Sequence, residues 1–228
     1  MKLTLHEHQK NAIQMFDESR RGIIVYHGLG SGKTITGIMC ANKLKKFQHI
    51  YITQSAIIEQ FKTEVLKYSS SRNYLVFTYN EFVSELVERK IPKKCVLIFD
   101  EAHRLRNRNS KSNLLIYNYI EKYAKKVVFL TGTPMVNFPW DISALLNVIH
   151  PYRYMPHAKR GFQLKYYSED PSNKYNFKLA NTNQFKAGTF KIVSKYVDNA
   201  KNELYYPTMT DKHIKVVMHR EQARLHSE

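Results

Sequence analysis

A glycine-rich run near the start of the chain has the residue types that bind phosphate groups. The run His27-Gly28-Leu29-Gly30-Ser31-Gly32-Lys33-Thr34 follows an apolar segment and precedes a helical pattern. Glycines allow backbone N–H groups to turn toward an anion, and the first turn of a helix presents its positive end. We expect this run to bind ATP, with Lys33 on the β- and γ-phosphates and Thr34 on Mg²⁺. His27 stands where the strict Walker A pattern has glycine.

Two acidic residues follow a second apolar run, 96–99. An apolar strand ending in Asp-Glu downstream of a phosphate loop is a Walker B arrangement. Asp100 would hold Mg²⁺ through its water shell, and Glu101 would polarise the attacking water. Without the loop, the same pair would be read as a solvated strand end. His103 completes the run Asp-Glu-Ala-His.

Hydroxyl groups follow a third apolar run, in Leu130-Thr131-Gly132-Thr133-Pro134. Ligands of open α/β sheets bind at the carboxyl ends of the strands. Alone this segment would be a turn. As the third polar cluster after a strand, it predicts that Thr131 and Thr133 lie beside the nucleotide.

Five short apolar runs alternate with helical patterns over the first 150 residues, which favours an α/β fold with a parallel sheet covered by helices on both faces. Asn80 and Ser110 are expected as helix N-caps. The predicted strands are 22–26, 50–53, 74–77, 96–99 and 127–130, and the predicted helices are 34–46, 56–68, 81–89, 112–122 and 142–149.

The composition and the periodic pattern of the sequence change after residue 150. Residues 151–228 are basic and rich in tyrosine, and no clear alternation of strands and helices continues there, although 212–218 resembles a strand. We therefore predict two parts: a nucleotide-binding domain at 1–150, and a helical or irregular extension at 151–228.

The amino-acid composition limits the kinds of partner that this chain is expected to bind. The chain has 36 Lys+Arg against 19 Asp+Glu, a formal net charge of +17. Such a charge favours nucleic acid, because phosphate contacts release counterions, but the codon bias of an AT-rich genome would also enrich lysine. No apolar run approaches the roughly 20 residues of a membrane helix, so we expect no membrane partner. Cys40 and Cys95 suggest no disulfide framework, which favours a reducing compartment.

The order of these motifs resembles that of superfamily 2 helicases and translocases. Gly-Ser-Gly-Lys-Thr, Asp-Glu-Ala-His and Leu-Thr-Gly-Thr-Pro look like their motifs I, II and III. Met135-Val136-Asn137 and the run 145–151 look like the SWI/SNF-type branch. Within it, the chain is most similar to nucleoside triphosphatases and early transcription factor ATPase subunits of poxviruses and asfarviruses. The fold implied is a RecA-like P-loop NTPase lobe.

The resemblance also implies roles for single residues. Gln9, in Leu5-His6-Glu7-His8-Gln9, would contact adenine. His103 would couple the nucleotide to motif III, where Thr131 and Thr133 lie. The segments of this chain that match the nucleic-acid-contacting motifs Ia and Ib contain Thr53, Gln54, Thr78 and Tyr79.

By this resemblance, the chain is the ATP-binding lobe of a motor that couples hydrolysis to movement on DNA or RNA. A second RecA-like lobe would be needed for full activity, and viral transcription machinery is an expected partner. We expect a cytoplasmic location, in a virion or viral factory for a viral protein, with the nucleus as the alternative. Two other functions stay open: a docking module with a vestigial nucleotide site, and a restriction-type DNA motor subunit.

Overall fold

The computed structural model describes residues 3–136, 138–150, 155–156, 158–169 and 177–197. Its contacts separate a compact unit, Met1–Val197, from a second unit, Asp198–Glu228. The second unit and the strand expected at 212–218 lie outside the described residues. In the described part of the chain, no helix has the length and apolar character needed to cross a membrane.

A six-stranded parallel sheet forms the centre of the compact unit. The strands of the described residues are β1 (Gly22–His27), β2 (His49–Thr53), β3 (Tyr74–Thr78), β4 (Val96–Phe99), β5 (Lys126–Thr131), β6 (Tyr167–Glu169), β7 (Phe177–Leu179) and β8 (Val193–Tyr196). The order in the sheet is β3-β2-β4-β5-β1-β8, and β6 and β7 pair with each other in an antiparallel ribbon.

Helices cover both faces of the sheet. Short 3₁₀ helices span Ser55–Ile57, Ala102–Arg106 and Pro139–Ile142. The α-helices are α1 (Glu7–Glu18), α2 (Lys33–Asn42), α3 (Ile58–Tyr68), α4 (Tyr79–Val87), α5 (Lys111–Tyr123), α6 (Ser143–Ile149), α7 (Lys159–Tyr166) and α8 (Thr182–Thr189).

Two hydrophobic clusters fill the spaces between the sheet and the helices, because successive strand residues point to opposite faces. On β1, Ile23 and Val25 belong to the cluster that includes α1, α2 and α3, whereas Ile24 belongs to the cluster that includes α4, α5 and α6. This two-sided burial confirms the predicted α/β fold with a parallel sheet.

Helix α2 approaches the sheet closely at Gly37. A Cβ atom at this position would lie 2.9 Å from Cδ1 of Leu130 on β5 and 3.0 Å from Cγ2 of Ile98 on β4. Glycine therefore lets the start of α2, and the loop that precedes it, lie close to the carboxyl ends of these two strands.

The five predicted strands are all present, within a residue or so of their expected limits. The cap of α4 differs from the prediction. Thr78, not Asn80, is the N-cap: its hydroxyl accepts a hydrogen bond from the Glu81 N–H, and the Glu81 carboxylate accepts one from the Thr78 N–H. This reciprocal capping box satisfies two helix-end donors at once, which Asn80 inside the helix cannot do. Ser110 caps α5 as predicted.

The compact unit extends past the predicted boundary at residue 150. β8 pairs with β1 in the main sheet, and Phe162 and Tyr166 of α7 are buried in the core. Part of the predicted extension therefore belongs to the same folded unit as the motifs.

Candidate nucleotide-binding site

The phosphate loop joins β1 to α2, and two of its glycines have positive φ angles, 68° at Gly30 and 74° at Gly32. At Gly32 a Cβ atom would also lie 2.5 Å from the Gln9 side-chain nitrogen. The first N–H groups of α2 have no partner within the helix. The loop thus places free backbone donors at a helix N-terminus, which is the geometry that binds a phosphate group.

The Gly28 carbonyl accepts hydrogen bonds from two side chains of this loop. Lys33 Nζ donates to it over 2.9 Å and Ser31 Oγ over 2.7 Å. Leu29 lies at the tip, 84% exposed, and Thr34 is half-buried in the first turn of α2. The Lys33 ammonium therefore lies across the loop, within a side-chain rotation of an anion bound there.

Gln9 is 4% exposed and contacts the phosphate loop directly. Its side-chain nitrogen donates to the Gly32 carbonyl over 3.3 Å, and its oxygen accepts from the His6 N–H over 2.9 Å. The amide thus ties α1 to the loop. Contact with adenine stays a prediction for this residue.

Asp100 directly follows β4 and is 5% exposed. Thr53 Oγ1 donates to its Oδ2 over 3.0 Å. Burial raises the pKa of this carboxyl group, the Thr53 hydrogen bond opposes that rise, and the neighbouring Glu101 charge adds to it. A buried carboxylate held in this way is suited to bind a cation.

The structure gives Thr53 a contact that was not expected. Its side chain is buried and its hydroxyl orients Asp100, while contact with a nucleic acid stays a prediction for this residue. The cause of the contact with Asp100 is the sheet register, since β2 and β4 are neighbours and Ile52 pairs with Phe99. Thr53 follows Ile52 and Asp100 follows Phe99, so the register brings Thr53 and Asp100 next to each other.

Glu101 has φ 47° and ψ 48°, a left-handed conformation that few residues other than glycine adopt. Its Oε2 lies 3.2 Å from His103 Nδ1. The same nitrogen lies 3.3 Å from Thr131 Oγ1 and 3.4 Å from Thr133 Oγ1. Burial lowers the pKa of His103, and the Glu101 charge acts in the opposite direction. The acidic motif and the Thr-Gly-Thr segment therefore form one polar cluster.

Gly132 connects this cluster to the phosphate loop. A Cβ atom on Gly132 would lie 3.7 Å from Lys33 Nζ. The three motifs follow β1, β5 and β4, which are neighbours in the sheet. The structure thus brings the predicted residues of all three motifs to one edge of the sheet.

Strand β8 contributes residues that the sequence analysis did not select. Ser194 Oγ lies 2.9 Å from Nε2 of the fully buried His27, and the Tyr196 carbonyl accepts from the Gly28 N–H over 2.8 Å. The Tyr196 ring stacks on His8 at 3.8 Å, and His8 Nε2 lies 3.0 Å from the Ser31 carbonyl. Burial lowers the pKa of His27 to about 4. The only indication of these contacts in the sequence was His27, which stands where the strict Walker A pattern has glycine.

The other predicted nucleic-acid contacts lie along the same edge. Gln54 is half-buried and precedes the 3₁₀ helix Ser55–Ile57. Thr78 caps α4, and the Tyr79 hydroxyl donates to the Asp100 carbonyl over 2.7 Å. Tyr79 is thereby attached to the acidic motif, while contact of these residues with a nucleic acid stays a prediction.

Among the described residues, no group of three or more His, Cys, Asp or Glu side chains could hold a metal ion by itself. Mg²⁺ fits this donor set in the way that it usually binds with a nucleotide, through one carboxylate, a hydroxyl group and phosphate oxygens. Asp100 and Thr34 are the side chains that would supply these protein ligands.

Comparison with known proteins supports this interpretation of the site. A profile described as SNF2-related domain matches residues 72–227. The putative ATP-dependent RNA helicase L538 of Acanthamoeba polyphaga mimivirus is 30% identical over an alignment of 223 residues, covering 94% of this chain and 46% of that protein. A termination factor NPH-I homolog of African swine fever virus is 25% identical over 186 residues, covering 70% of this chain and 26% of that protein.

A solved structure shares the fold. The SWI2/SNF2 ATPase core of Sulfolobus solfataricus, in complex with dsDNA, matches with a TM-score of 0.69 and 17% identity, covering 88% of this chain and 46% of that chain. The chain spans less than half of the length of each of these proteins. Because the matching profile covers well over half of the chain, the chain belongs to the SNF2-related domain family, as an N-terminal RecA-like lobe of the superfamily 2 type similar to those of large DNA viruses.

Proposed function

We propose that this chain is the ATP-binding lobe of a nucleic-acid-dependent ATPase that couples hydrolysis to movement along DNA or RNA. The observation that carries the proposal is the convergence of Lys33, Asp100 and Glu101 at the carboxyl edge of three neighbouring strands. Phosphoryl transfer depends mainly on positioning and on charge stabilisation, and these are the groups that provide both.

The residues of the loop have the chemistry to hold Mg·ATP. Backbone N–H groups from Gly30 to Thr34 would face the phosphates, and Lys33 would move from the Gly28 carbonyl to the β- and γ-phosphate oxygens. Thr34 and Asp100 would hold Mg²⁺, which when bound would supply positive charge to the phosphates. The Thr53 hydrogen bond orients Asp100 and favours its ionised form, against the rise in pKa that burial causes.

Glu101 positions and polarises the water that attacks the γ-phosphate. Its carboxylate already contacts His103, and His103 contacts both Thr131 and Thr133. A change at the γ-phosphate would therefore reach the segment after β5 through a short chain of side chains. This is the basis on which we assign a coupling role to His103, Thr131 and Thr133.

Three observations support nucleic acid as the partner: the net charge of +17, the relative named as an RNA helicase, and the structural neighbour solved with dsDNA. The relative named as a termination factor supports a role in viral transcription. A location in the cytoplasm, in a virion or viral factory, with the nucleus as the alternative, is part of the same proposal. The chain covers less than half of these relatives, so we also propose that a second lobe completes the motor.

The test compares Lys33→Ala and Glu101→Gln with the unaltered chain. Mg·ATP should raise the melting temperature of the unaltered chain and of Glu101→Gln, but not that of Lys33→Ala. Steady-state hydrolysis by this lone lobe should be slow, should increase on addition of DNA or RNA, and should disappear in Glu101→Gln. If Lys33→Ala kept the ATP-induced stabilisation, the loop would not be the nucleotide site, and the vestigial docking module would be the better description.

A further inference from the structure

A polar groove of about 310 Å³ lies beside the nucleotide site, outside the residues assigned so far to ATP. The start of α4 supplies Tyr79 and Asn80, and the 3₁₀ helix after the acidic motif supplies Arg104 and Arg106. The remaining wall is the start of α5, where Ser112 lies. The groove thus lies at the same sheet edge as the catalytic motifs. Its two arginines follow the acidic motif directly in the sequence.

The charges in this groove are unbalanced. None of the residues that line it is acidic. Neither Arg104 nor Arg106 has a carboxylate partner among the residues that the structure describes; Arg106 reaches only the His103 carbonyl, at 3.4 Å. Arg108, two positions further on, is different: it pairs with Glu121 over 2.6 Å and lies over the Tyr117 ring. Of the three arginines at every second position, Arg104 and Arg106 therefore have no anionic partner in the described part of the chain.

Hydrogen-bond donors in the groove are also unused. Within the described ranges, the side chains of Asn80 and Ser112 make no hydrogen bond to the protein. Ser110, the N-cap of α5, lines the groove as well, so the positive end of this 13-residue helix faces the same space. Guanidinium groups, an amide, a hydroxyl and a helix N-terminus together form a set of donors suited to phosphate oxygens.

The groove is connected to the catalytic motif by short contacts. The Arg104 guanidinium lies 5.5 Å from the centre of the Tyr79 ring, and the Tyr79 hydroxyl donates to the Asp100 carbonyl over 2.7 Å. The charges of Arg104 and Arg106 also lower the pKa of His103, the residue that contacts Glu101. An anion in the groove would therefore act on the residues that hold the metal ion and the attacking water.

We propose that this groove binds the phosphodiester backbone of a nucleic-acid strand through Arg104 and Arg106, and that Tyr79 transmits its occupancy to the acidic motif. The inference rests on the proposed function, because it names where the nucleic acid that stimulates hydrolysis contacts this lobe. DNA and RNA share the phosphodiester chemistry, so the groove selects the backbone and not the base sequence.

The test measures how binding depends on salt. A short fluorescein-labelled single-stranded DNA, and RNA of the same sequence, are titrated with the unaltered chain and with Arg104→Gln/Arg106→Gln over about 50 to 200 mM salt. The slope of log K against log salt should become shallower by about 1.4 in the double variant, which is about 0.7 for each lost phosphate contact. The affinity should fall on the order of ten-fold or more.

Arg108→Gln is the matched control, because it removes an arginine from the same loop whose charge is already paired. It should leave the slope unchanged. All variants should keep the rise in melting temperature caused by Mg·ATP, which verifies that they are folded and that the nucleotide site is intact. Stimulation of hydrolysis by the oligonucleotide should be lost in the double variant only.

Three results would overturn the inference. Equal slopes for the unaltered chain and the double variant would show that the groove carries no phosphate contact, and the proposed function would survive. Displacement of the oligonucleotide by poly-glutamate at equal charge concentration would assign the groove to an acidic protein segment. Absence of any binding by the unaltered chain would overturn the nucleic-acid function as a whole, and the groove assignment with it.

Discussion

The hydrogen bond between Thr53 and Asp100 keeps the acidic motif ready to bind a metal ion. Burial by itself favours the protonated form of Asp100, and protonated carboxyl groups are poor ligands for Mg²⁺. The Thr53 hydroxyl offsets part of this effect by donating to Oδ2. A residue that resembles a nucleic-acid contact in sequence therefore acts on the carboxylate that we propose as a ligand of Mg²⁺.

We predict that Thr53→Val raises the pKa of Asp100 further and weakens Mg·ATP binding. A hydrogen bond to a charged group contributes about 1.5 kcal/mol or more, so roughly ten-fold more Mg²⁺ should be needed. The measurement is the ATP-induced rise in melting temperature as a function of Mg²⁺ concentration. Thr63→Val is the control, since the exposed Thr63 hydroxyl only bonds to the Glu59 carbonyl of its own helix. If both variants needed the same Mg²⁺ concentration, Thr53 would have no role in metal binding.

His27 makes the stability of the fold sensitive to acid. It is fully buried, its Nε2 lies beside Ser194 and its Nδ1 has no partner among the described residues. Its pKa of about 4 lies below the ordinary value of 6.5, because burial disfavours the charged ring. As the pH falls below about 6.5, the unfolded chain takes up a proton that the folded chain does not accept until about pH 4.

The free energy of unfolding should therefore decrease by about 2 kcal/mol between pH 7 and pH 5 through His27 alone. His27→Gln should remove this contribution and give a flatter pH dependence, measured by urea unfolding across this range. His49, whose pKa burial also lowers, is present in both proteins, so the difference between the two curves isolates His27. Parallel curves would mean that His27 is protonated in the folded state or is exposed to solvent.

At the scale of elements, five strands of the main sheet were predictable and β8 was not. Strands β1, β2, β4 and β5 are mostly apolar runs buried on both faces, and the edge strand β3 is an apolar run that is half-buried. At the other edge, β8 is Val-Ser-Lys-Tyr, whose polar residues interrupt any such run. Its position depends on pairing with β1 across a long separation in the chain, which local patterns do not encode.

The residues of the candidate site divide in the same way, into those that local sequence patterns indicate and those whose contacts depend on the order of the strands. The phosphate loop and the acidic motif are local patterns, and their residues could be selected from the sequence. The contacts from Thr53 to Asp100 and from Ser194 to His27 depend on which strands are neighbours, and the order of strands was not predictable. The N-cap of α4 was available in the sequence, since Thr78-Tyr79-Asn80-Glu81 has the spacing of a capping box.

β8 and α7 should contribute to the stability of the whole lobe. A chain ending at residue 150 would lose four buried side chains from the core: Met155, Phe162, Tyr166 and Ile192. At about 2 kcal/mol each, this loss should lower the melting temperature by on the order of 15 °C or more, relative to a chain ending at residue 197. Thermal unfolding followed by circular dichroism measures the difference.

The chain ending at 197 is the reference because it keeps all of these side chains and the pairing of β8 with β1. It should also keep the stabilisation by Mg·ATP, since the Tyr196 carbonyl still accepts from the Gly28 N–H. Equal melting temperatures for the two shortened chains would place the end of the folded unit at residue 150, as the composition alone suggested.

At the scale of the whole molecule, the described groups proposed to bind ATP and to position water all come from one sheet. Lys33 follows β1 in the phosphate loop, and Asp100 and Glu101 follow β4. Superfamily 2 motors hydrolyse ATP between two lobes, and this chain spans 46% of the mimivirus relative named as a helicase. An arginine supplied from a second lobe would stabilise the charge on the transferred phosphoryl group, and such an arginine raises kcat by about 10³ to 10⁵ in related enzymes.

We therefore predict that residues 1–228 bind Mg·ATP but hydrolyse it slowly, even with DNA or RNA present. Joining the chain to a second RecA-like lobe should raise the steady-state rate by at least about 10³, and the increase should require nucleic acid. Glu101→Gln in the joined protein is the control, because it should abolish the rate without abolishing binding. Rapid, nucleic-acid-stimulated turnover by residues 1–228 alone would contradict the prediction, since every group needed for the transition state would then have to come from this one lobe.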